Sequence, residues 1–324
     1  MGSLARSRIS AALRVVVCVV LLILALRRVE VDEVLARADT RLLLAVALAA
    51  VLIGATAWPQ AARWRLIASR LGVRLDRLLA LRATLISFFL LAVTPSTLAA
   101  DGARAIALRG GGSDWTRSIH SVLVDRLLGL ATLLLGALAG IPLLLAEAPT
   151  LRNVLGWPLF VAVIAAASGI ALVAQRLPRR WLRFRSVREW GRLVRTLRTV
   201  LSDRRFLFGA ALWSLFILAL SMIGFSLIAA AAGARADLAT VLGIFPIVLL
   251  ASVLPISVGG WGSRELGLVA FYPYFGTEPP VAMAVSIAFG LATLIAGVLC
   301  IIASWWIRPR NPASEDVLTS DERK

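Results

Sequence analysis

Long apolar segments separated by short polar ones are the dominant pattern of this chain. Eight segments are mostly apolar: 9–26, 42–58, 78–93, 119–146, 154–174, 206–232, 238–254 and 281–307. Most of them reach or approach the roughly 20 residues that a helix needs to cross a bilayer. Because a helix satisfies its own backbone hydrogen bonds inside a membrane, we predict an all-α integral membrane protein.

Composition supports this prediction and excludes several other classes. Of the 324 residues, 60% are hydrophobic and 16% are charged, whereas soluble domains carry about 25% charged residues. The net charge of +17 does not indicate a nucleic-acid partner, because the arginines lie between segments too long for soluble helices. A single histidine, and two cysteines inside apolar segments, predict no metal site, no cofactor and no disulfide framework.

The distribution of arginine predicts the topology. Residues 60–82 carry a net charge of +5 and residues 175–205 one of +9, which places both loops in the cytoplasm. Three apolar segments separate these loops, although two loops on one side need an even number of crossings. We therefore expect 78–93, and by the same count 238–254, to enter and leave on one side. The result is six spans and two opposed re-entrant hairpins, or eight spans, with both termini in the cytoplasm of a multi-pass cell-membrane protein.

The two hairpin regions are similar in sequence. Residues 93–108 align without gaps with residues 253–268, and the alignment pairs Arg104 with Arg264. The flanks also match, 71–76 with 232–237 and 129–136 with 290–297. Because the charges orient the two copies in opposite directions, the sequence predicts an inverted repeat, which is typical of secondary transporters.

This repeat divides the chain into five parts. They are a first span and linker (1–41), repeat 1 (42–136, hairpin 78–110), a connecting region (137–202), repeat 2 (203–307, hairpin 238–276) and a disordered tail (308–324). In the connecting region, residues 186–201 place apolar side chains on one face and arginines on much of the rest. That pattern predicts an interfacial helix on an anionic leaflet. A partner enzyme at this basic loop and homo-oligomer formation are left open.

Each hairpin carries an arginine a few residues after its break. A charge in hydrocarbon costs at least about 2.5–3.5 kcal/mol, so such residues usually mark a pathway. Glycines and helix N-termini let a phosphate or carboxylate approach, and a guanidinium can bind two of its oxygens. We interpret these as substrate-binding residues: Asp101, Gly102 and Arg104 in the first hairpin, and Gly259, Gly260, Trp261, Gly262, Arg264 and Glu265 in the second.

A purely structural interpretation of the same residues is also open. Arg104 would then pair with Asp101, and Arg264 with Glu265, only to neutralise charge. The helix breaks themselves are assigned to Pro95, Ser96, Pro255 and Ser257, whose serines suit helix capping. Asp125 and Arg126 either lock the first hairpin from the next segment or lie at the interface.

Motifs for catalysis are weak. Residues 101–105 begin like the Asp-Gly-x-x-Ala-Arg motif of transferases that use a CDP-alcohol, but the spacing is one residue short and the metal-binding aspartates are missing. No zinc-protease motif, P-loop or nucleophile elbow is present. We expect no enzyme, with a lipid head-group enzyme or a non-transporting accessory subunit as the alternatives.

At these residues the chain resembles the flippase-like membrane domain of the lysylphosphatidylglycerol synthase transmembrane family. The resemblance covers about 42–307 and rests on residues 64–65, 71–72, 95–104 and 125–129, and most specifically on 254–265. It implies movement of a phospholipid or polyprenyl-linked lipid with an anionic or phosphate-bearing head group between leaflets. Family members usually carry a Gly-Gly pair where Ala99 and Ala100 stand here. Since longer members add a synthase domain that does not follow the last span here, the resemblance implies flipping without synthesis.

Overall fold

The computed structural model describes residues 39–94, 97–110, 113–147, 202–253 and 260–307. Within these ranges the chain is helical and contains no strand, which confirms the all-α class. The helices are α1 (Thr40–Ala55), α2 (Ala57–Arg70), α3 (Arg77–Val93), α4 (Thr97–Gly110), α5 (Trp115–Glu147), α6 (Arg204–Ala231), α7 (Leu238–Val253), α8 (Ser263–Phe271), a 3-10 helix (Tyr272–Phe275) and α9 (Pro279–Trp306).

Within the described part of the chain, four helical stretches are long and apolar enough to cross a membrane. They are Thr40–Arg70, Trp115–Leu143, Arg204–Ala231 and Pro279–Trp306, and each covers all or most of one of the predicted apolar segments. The predicted spans 9–26 and 154–174, the interfacial helix 186–201 and the tail lie outside the described residues. The total number of spans and the positions of both termini therefore stay predictions.

One expected loop is largely helical. The sequence predicts a basic loop at residues 60–82, but α2 continues the helical stretch of α1 to Arg70 and α3 begins at Arg77. The physical reason is a buried stripe at helical spacing, formed by Ala57, Ala61, Trp64 and Ala68. The true loop is residues 71–76, so several arginines of this stretch lie on a helix.

Two pairs of short helices, α3 with α4 and α7 with α8, occupy the predicted hairpin regions. Their members have 17, 14, 16 and 9 residues, and a full span needs about 20. The first helix of each pair ends two residues before a proline, at Val93 and Val253. The prolines themselves, with Ser96, Ser257 and Gly259, lie outside the described residues, and re-entry on one side stays a prediction.

The turns before these pairs have the same local structure. Gly72 and Gly233 have φ of +71° and +81°, which favours glycine. The residue after each glycine donates its N–H to the carbonyl five residues earlier, at 3.0 and 2.8 Å, as in a Schellman motif. Asp76 and Asp237 then cap the next helix by accepting backbone N–H groups at 2.9 and 3.1 Å.

The spans that lead into these turns run antiparallel. A Cβ added to Gly209, near the start of α6, would lie 3.1 Å from Leu66 of α2, and one added to Gly224 would lie 3.4 Å from Ala49 of α1. Arg70 at the end of α2 also forms an ion pair with Asp203, the cap of α6. The two matched turns, at residues 71–76 and 232–237, therefore lie at opposite ends of the bundle.

Each hairpin region packs against the long helix of the other half of the chain. Helix α7 lies against α5, and α3 lies against α9. Glycines make the contacts close: a Cβ at Gly140 of α5 would lie 2.1 Å from the carbonyl oxygen of Leu242, and a Cβ at Gly297 of α9 would lie 2.9 Å from the Cβ of Ala92. Small residues at such crossings are typical of membrane helices.

This packing predicts that Gly140→Ala destabilises the protein while Gly102→Ala does not. The added methyl group of the first variant overlaps backbone atoms of α7, and overpacking costs about 1–3 kcal/mol or more. A Cβ at Gly102, inside α4, meets nothing within 4 Å, so alanine there adds about 1 kcal/mol of helix propensity. Detergent titrations that report the free energy of unfolding check both values, and equal stability of the two variants would contradict the close contact.

Candidate functional site

A buried cluster of three charges joins the first half of the chain. The carboxylate of Asp125, on α5, accepts from Nε of Arg63, on α2, at 2.8 Å and from Nη1 of Arg104, on α4, at 2.8 Å. The side chains of Asp125, Arg63 and Arg104 are 3%, 7% and 4% exposed. One carboxylate therefore serves two guanidinium groups, and the cluster keeps a net charge of +1.

Polar and aromatic neighbours fix this cluster in place. Arg63 also donates from Nη1 to the hydroxyl of Ser214, on α6, at 2.8 Å. The guanidinium of Arg104 lies 4.4 Å from the ring centroid of Trp64, a cation–π contact. Trp64 in turn donates from Nε1 to the hydroxyl of Ser121 at 3.1 Å. Four helices (α2, α4, α5 and α6) thus meet at one polar centre.

Arg104 keeps one edge of its guanidinium without a partner. Its Nε and Nη2 are buried, and neither atom has a hydrogen-bond acceptor within the described residues. A buried N–H group without a partner costs free energy and is rare in folded proteins. The free edge of Arg104 is therefore a position where an acceptor fits.

A second ion pair lies beside the first. Arg126 donates from Nε to Asp101 at 2.8 Å, and these side chains are 35% and 22% exposed. Helix α4 thus contributes Asp101 and Arg104, and α5 contributes Asp125 and Arg126, in two crossed pairs. The expected alternative, Arg104 with Asp101, differs from this arrangement, because the carboxylate that pairs with Arg104 is one helix away.

The second half of the chain has its own buried arginine. Arg264, at the start of α8, donates from Nη2 to Glu265 at 2.8 Å and from Nε to the hydroxyl of Ser286, on α9, at 3.2 Å. Ser286 donates to the same carboxylate at 2.9 Å, and Glu265 also accepts the backbone N–H of Gly262. The guanidinium lies 4.9 Å from the Trp261 ring centroid. This cluster is electrically neutral.

The two clusters occupy matched positions with different side chains. Asp125 lies four residues before Gly129, and Ser286 lies four residues before Gly290, which is the glycine paired with Gly129 in the alignment. Gly290 leaves room for a guanidinium, because an added Cβ would lie 2.5 Å from Arg264, whereas a Cβ at Gly129 would be in ordinary contact with Arg63, at 3.6 Å. In the second half the partner at this helix position is a hydroxyl, and the carboxylate comes from Glu265 instead.

The glycine-lined helix start that the sequence predicts is seen in part. Gly260 and Gly262 have φ of +81° and +85°, and α8 begins directly after them. In the first half, α4 already begins at Thr97, so Gly102 lies inside the helix and Arg104 lies about two turns from its start. Alanines at 99 and 100 explain the difference, because alanine favours a continuous helix where glycine does not.

Sequence reasoning missed, among others, four residues that contact the charged side chains of the two clusters. They are Arg63, Trp64, Ser214 and Ser286. Arg63 was counted as a loop charge, although its place one residue before Trp64 in a helical stripe could have indicated burial. The two serines lie inside apolar spans and carry no local signal. Among the described residues no three His, Cys, Asp or Glu side chains come together to hold a metal.

Comparison with known families decides the assignment. The model of the lysylphosphatidylglycerol synthase TM region matches residues 11–302, a range that contains both clusters. The chain belongs to this family. Membership in the lysylphosphatidylglycerol synthase TM family confirms the resemblance and identifies a multi-pass membrane domain associated with lipid handling. No curated protein and no solved structure matches the chain significantly.

The first cluster predicts a large difference between two aspartate variants. Asp125→Ala leaves two buried guanidinium groups without a counter-ion, and breaking a buried pair costs about 3–5 kcal/mol. Asp101→Ala, one helix away, breaks a partly exposed pair and costs about 0–1 kcal/mol. Unfolding titrations in detergent measure both, and a tolerated Asp125→Ala would show that Asp125 does not hold the cluster.

Proposed function

We propose that this chain is a lipid translocase. It moves a phospholipid or polyprenyl-linked lipid with an anionic or phosphate-bearing head group between the leaflets of the cell membrane. Arg104 and Arg264 lie on the pathway, and the protein performs no chemistry on the lipid. The orientation expected from the arginine distribution, with both termini in the cytoplasm, belongs to the same proposal.

The observation that carries the proposal is the buried guanidinium edge of Arg104, which has no acceptor among the residues that the structure describes. Its partner Asp125 lies ten residues after Trp115, where a spanning helix begins, or about 15 Å along the helix. A cation buried beside a helix that is long and apolar enough to cross a membrane is costly, so such residues usually serve a pathway.

The paired architecture supports access from both leaflets. The two helix pairs follow turns of the same local structure, the spans before them run antiparallel, and the first helix of each pair packs against the long helix of the opposite half. These features fit an inverted repeat, in which one repeat rocks against the other around a fixed site. Membership in a lipid-handling family supports a lipid as the cargo.

Reconstitution into liposomes tests the proposal. Fluorescent phosphatidylglycerol is distributed over both leaflets, and dithionite added outside removes the fluorescence that it can reach. Liposomes with the wild-type protein are expected to lose the protected inner-leaflet signal, whereas empty liposomes keep it. Arg104→Ala is expected to slow the loss at least about tenfold, because it removes a buried, charged hydrogen-bond donor.

Arg109→Ala is the matched control, since Arg109 lies on the same helix but is exposed. Size-exclusion profiles separate lost transport from lost folding, and thin-layer analysis of the lipids detects any new product. Wild-type liposomes that behave like empty ones for every head group, with and without a proton gradient, would contradict the translocase. A modified lipid would favour the enzyme alternative.

A further inference from the structure

The two arginine clusters differ in their capacity for an anion. In the first, the charges of Arg63 and Arg104 exceed that of Asp125 by one, and two donors of Arg104 have no partner within the described residues. In the second, Glu265 neutralises Arg264, and both polar contacts of the guanidinium end on Glu265 and Ser286. A bound monoanion would make the first cluster neutral, whereas it would leave the second cluster with an uncompensated negative charge.

Nε and Nη2 of Arg104 define the shape of the acceptor group that can bind there. Nε and Nη2 lie on the same edge of a guanidinium, so their N–H bonds point in parallel toward two acceptors. The Trp64 ring lies against the face of the group, 4.4 Å from its centre, and Asp125 accepts from Nη1. The plane is therefore fixed and the edge stays available. Such a fork matches two oxygens of one phosphate or carboxylate group.

The net charge of the first cluster defines how many negative charges a bound acceptor group would carry. One negative charge would bring Arg63, Asp125 and Arg104 to neutrality, whereas a second charge would be left without a partner in a buried site. Uncompensated charge is expensive in such surroundings. A phosphodiester carries one charge on two free oxygens, whereas a phosphomonoester carries close to two at neutral pH.

We propose that the Arg63–Asp125–Arg104 cluster is a subsite for the singly charged phosphodiester of a membrane lipid, and that Asp125 sets this charge preference. The inference rests on the proposed lipid transport and narrows its cargo to glycerophospholipids with a diester head group. Arg104 binds the phosphate through Nε and Nη2, and Asp125 and Trp64 position Arg104. The Arg264 cluster is already neutral and binds no phosphate, because Glu265 and Ser286 take up the polar contacts of its guanidinium.

Calorimetric titration of the full chain in detergent tests the charge preference without transport. The probes are dioctanoyl phosphatidylglycerol, dioctanoyl phosphatidate and uncharged dioctanoylglycerol, at about pH 8, where the monoester carries two charges. The diester lipid is expected to bind at least about tenfold more tightly than either other probe, because only it satisfies both the fork and the charge. Equal affinity for diester and monoester lipids would overturn the proposal.

Two further probes identify the source of the anion. Decanoate presents one charge on two oxygens without phosphorus, and glycerophosphoglycerol presents the diester without acyl chains. Both are expected to bind at least about tenfold more weakly than phosphatidylglycerol, since neither combines the diester with a lipid tail. Decanoate binding as tightly would assign a carboxylate, and tight binding of the deacylated diester would assign a soluble ligand; either result overturns the lipid phosphodiester.

Charge variants test the role of Asp125 itself. Asp125→Asn raises the cluster to +2 and is expected to reverse the preference toward phosphatidate, a change that a purely structural role would not produce. If this variant does not fold, Arg63→Gln, which lowers the cluster to neutral, is expected to weaken diester binding at least about tenfold. Arg109→Gln is the exposed control. A folded Asp125→Asn with the wild-type preference would overturn the assignment, and so would unchanged affinity in Arg63→Gln.

The two proposals fail separately. Lipid movement in liposomes without diester selectivity in the binding titrations would overturn the subsite proposal and support the translocase proposal. Diester selectivity that Asp125→Asn reverses, without any lipid movement, would support the subsite and remove the translocase.

Discussion

The burial of two guanidinium groups against one carboxylate, inside a membrane domain, is the constraint on which the site depends. Hydrocarbon offers no water to solvate a charge, so Arg63 and Arg104 are stable there only beside Asp125. The contacts of the cluster draw in α2, α4, α5 and, through Ser214, α6. A single carboxylate thus connects the short helices of the first hairpin region with the spanning helices around them. Because Asp125 is shared between two arginines, one guanidinium edge of Arg104 has no acceptor among the described residues. An anion bound there would link the stability of the helix bundle to ligand binding.

The second half of the chain meets the same constraint in another way. Arg264 aligns with Arg104, but its carboxylate is the adjacent Glu265, and Ser286 occupies the helix position of Asp125. The matched glycines lie beside a guanidinium in both halves, Gly129 beside Arg63 and Gly290 beside Arg264, and at Gly290 a side chain would overlap the arginine. If the two halves are copies of one repeat, they have diverged in charge. The first cluster keeps a net charge of +1, whereas the second is neutral. This asymmetry is the reason to place the phosphate of the cargo in the first half, although both arginines lie on the proposed pathway.

Much of the fold could be predicted from the sequence, because hydrophobic length and helix-breaking residues are local properties. Six of the eight apolar segments coincide with described helices, and α3 and α7 end close to Pro95 and Pro255. The family was also identifiable, chiefly from the residues around Trp261 and Glu265. The partners of the arginines could not be predicted, since Arg63 and Asp125 are 62 residues apart and Arg63 and Ser214 are 151 apart. Such pairings depend on how helices pack and not on any local pattern.

The orientation of the two matched turns tests the central claim, an inverted repeat around a buried anion site, most directly. Arg74 and Arg235 occupy equivalent, exposed positions in these turns, and each can be replaced singly by cysteine in a chain whose Cys18 and Cys300 are changed to alanine. A membrane-impermeant maleimide is then applied to intact spheroplasts and to inverted vesicles. The account predicts that Arg74→Cys reacts only in inverted vesicles and Arg235→Cys only in spheroplasts, because the turns lie at opposite ends of antiparallel spans. Labelling of both cysteines from the same side would contradict the inverted repeat and, with it, a site served alternately from the two leaflets.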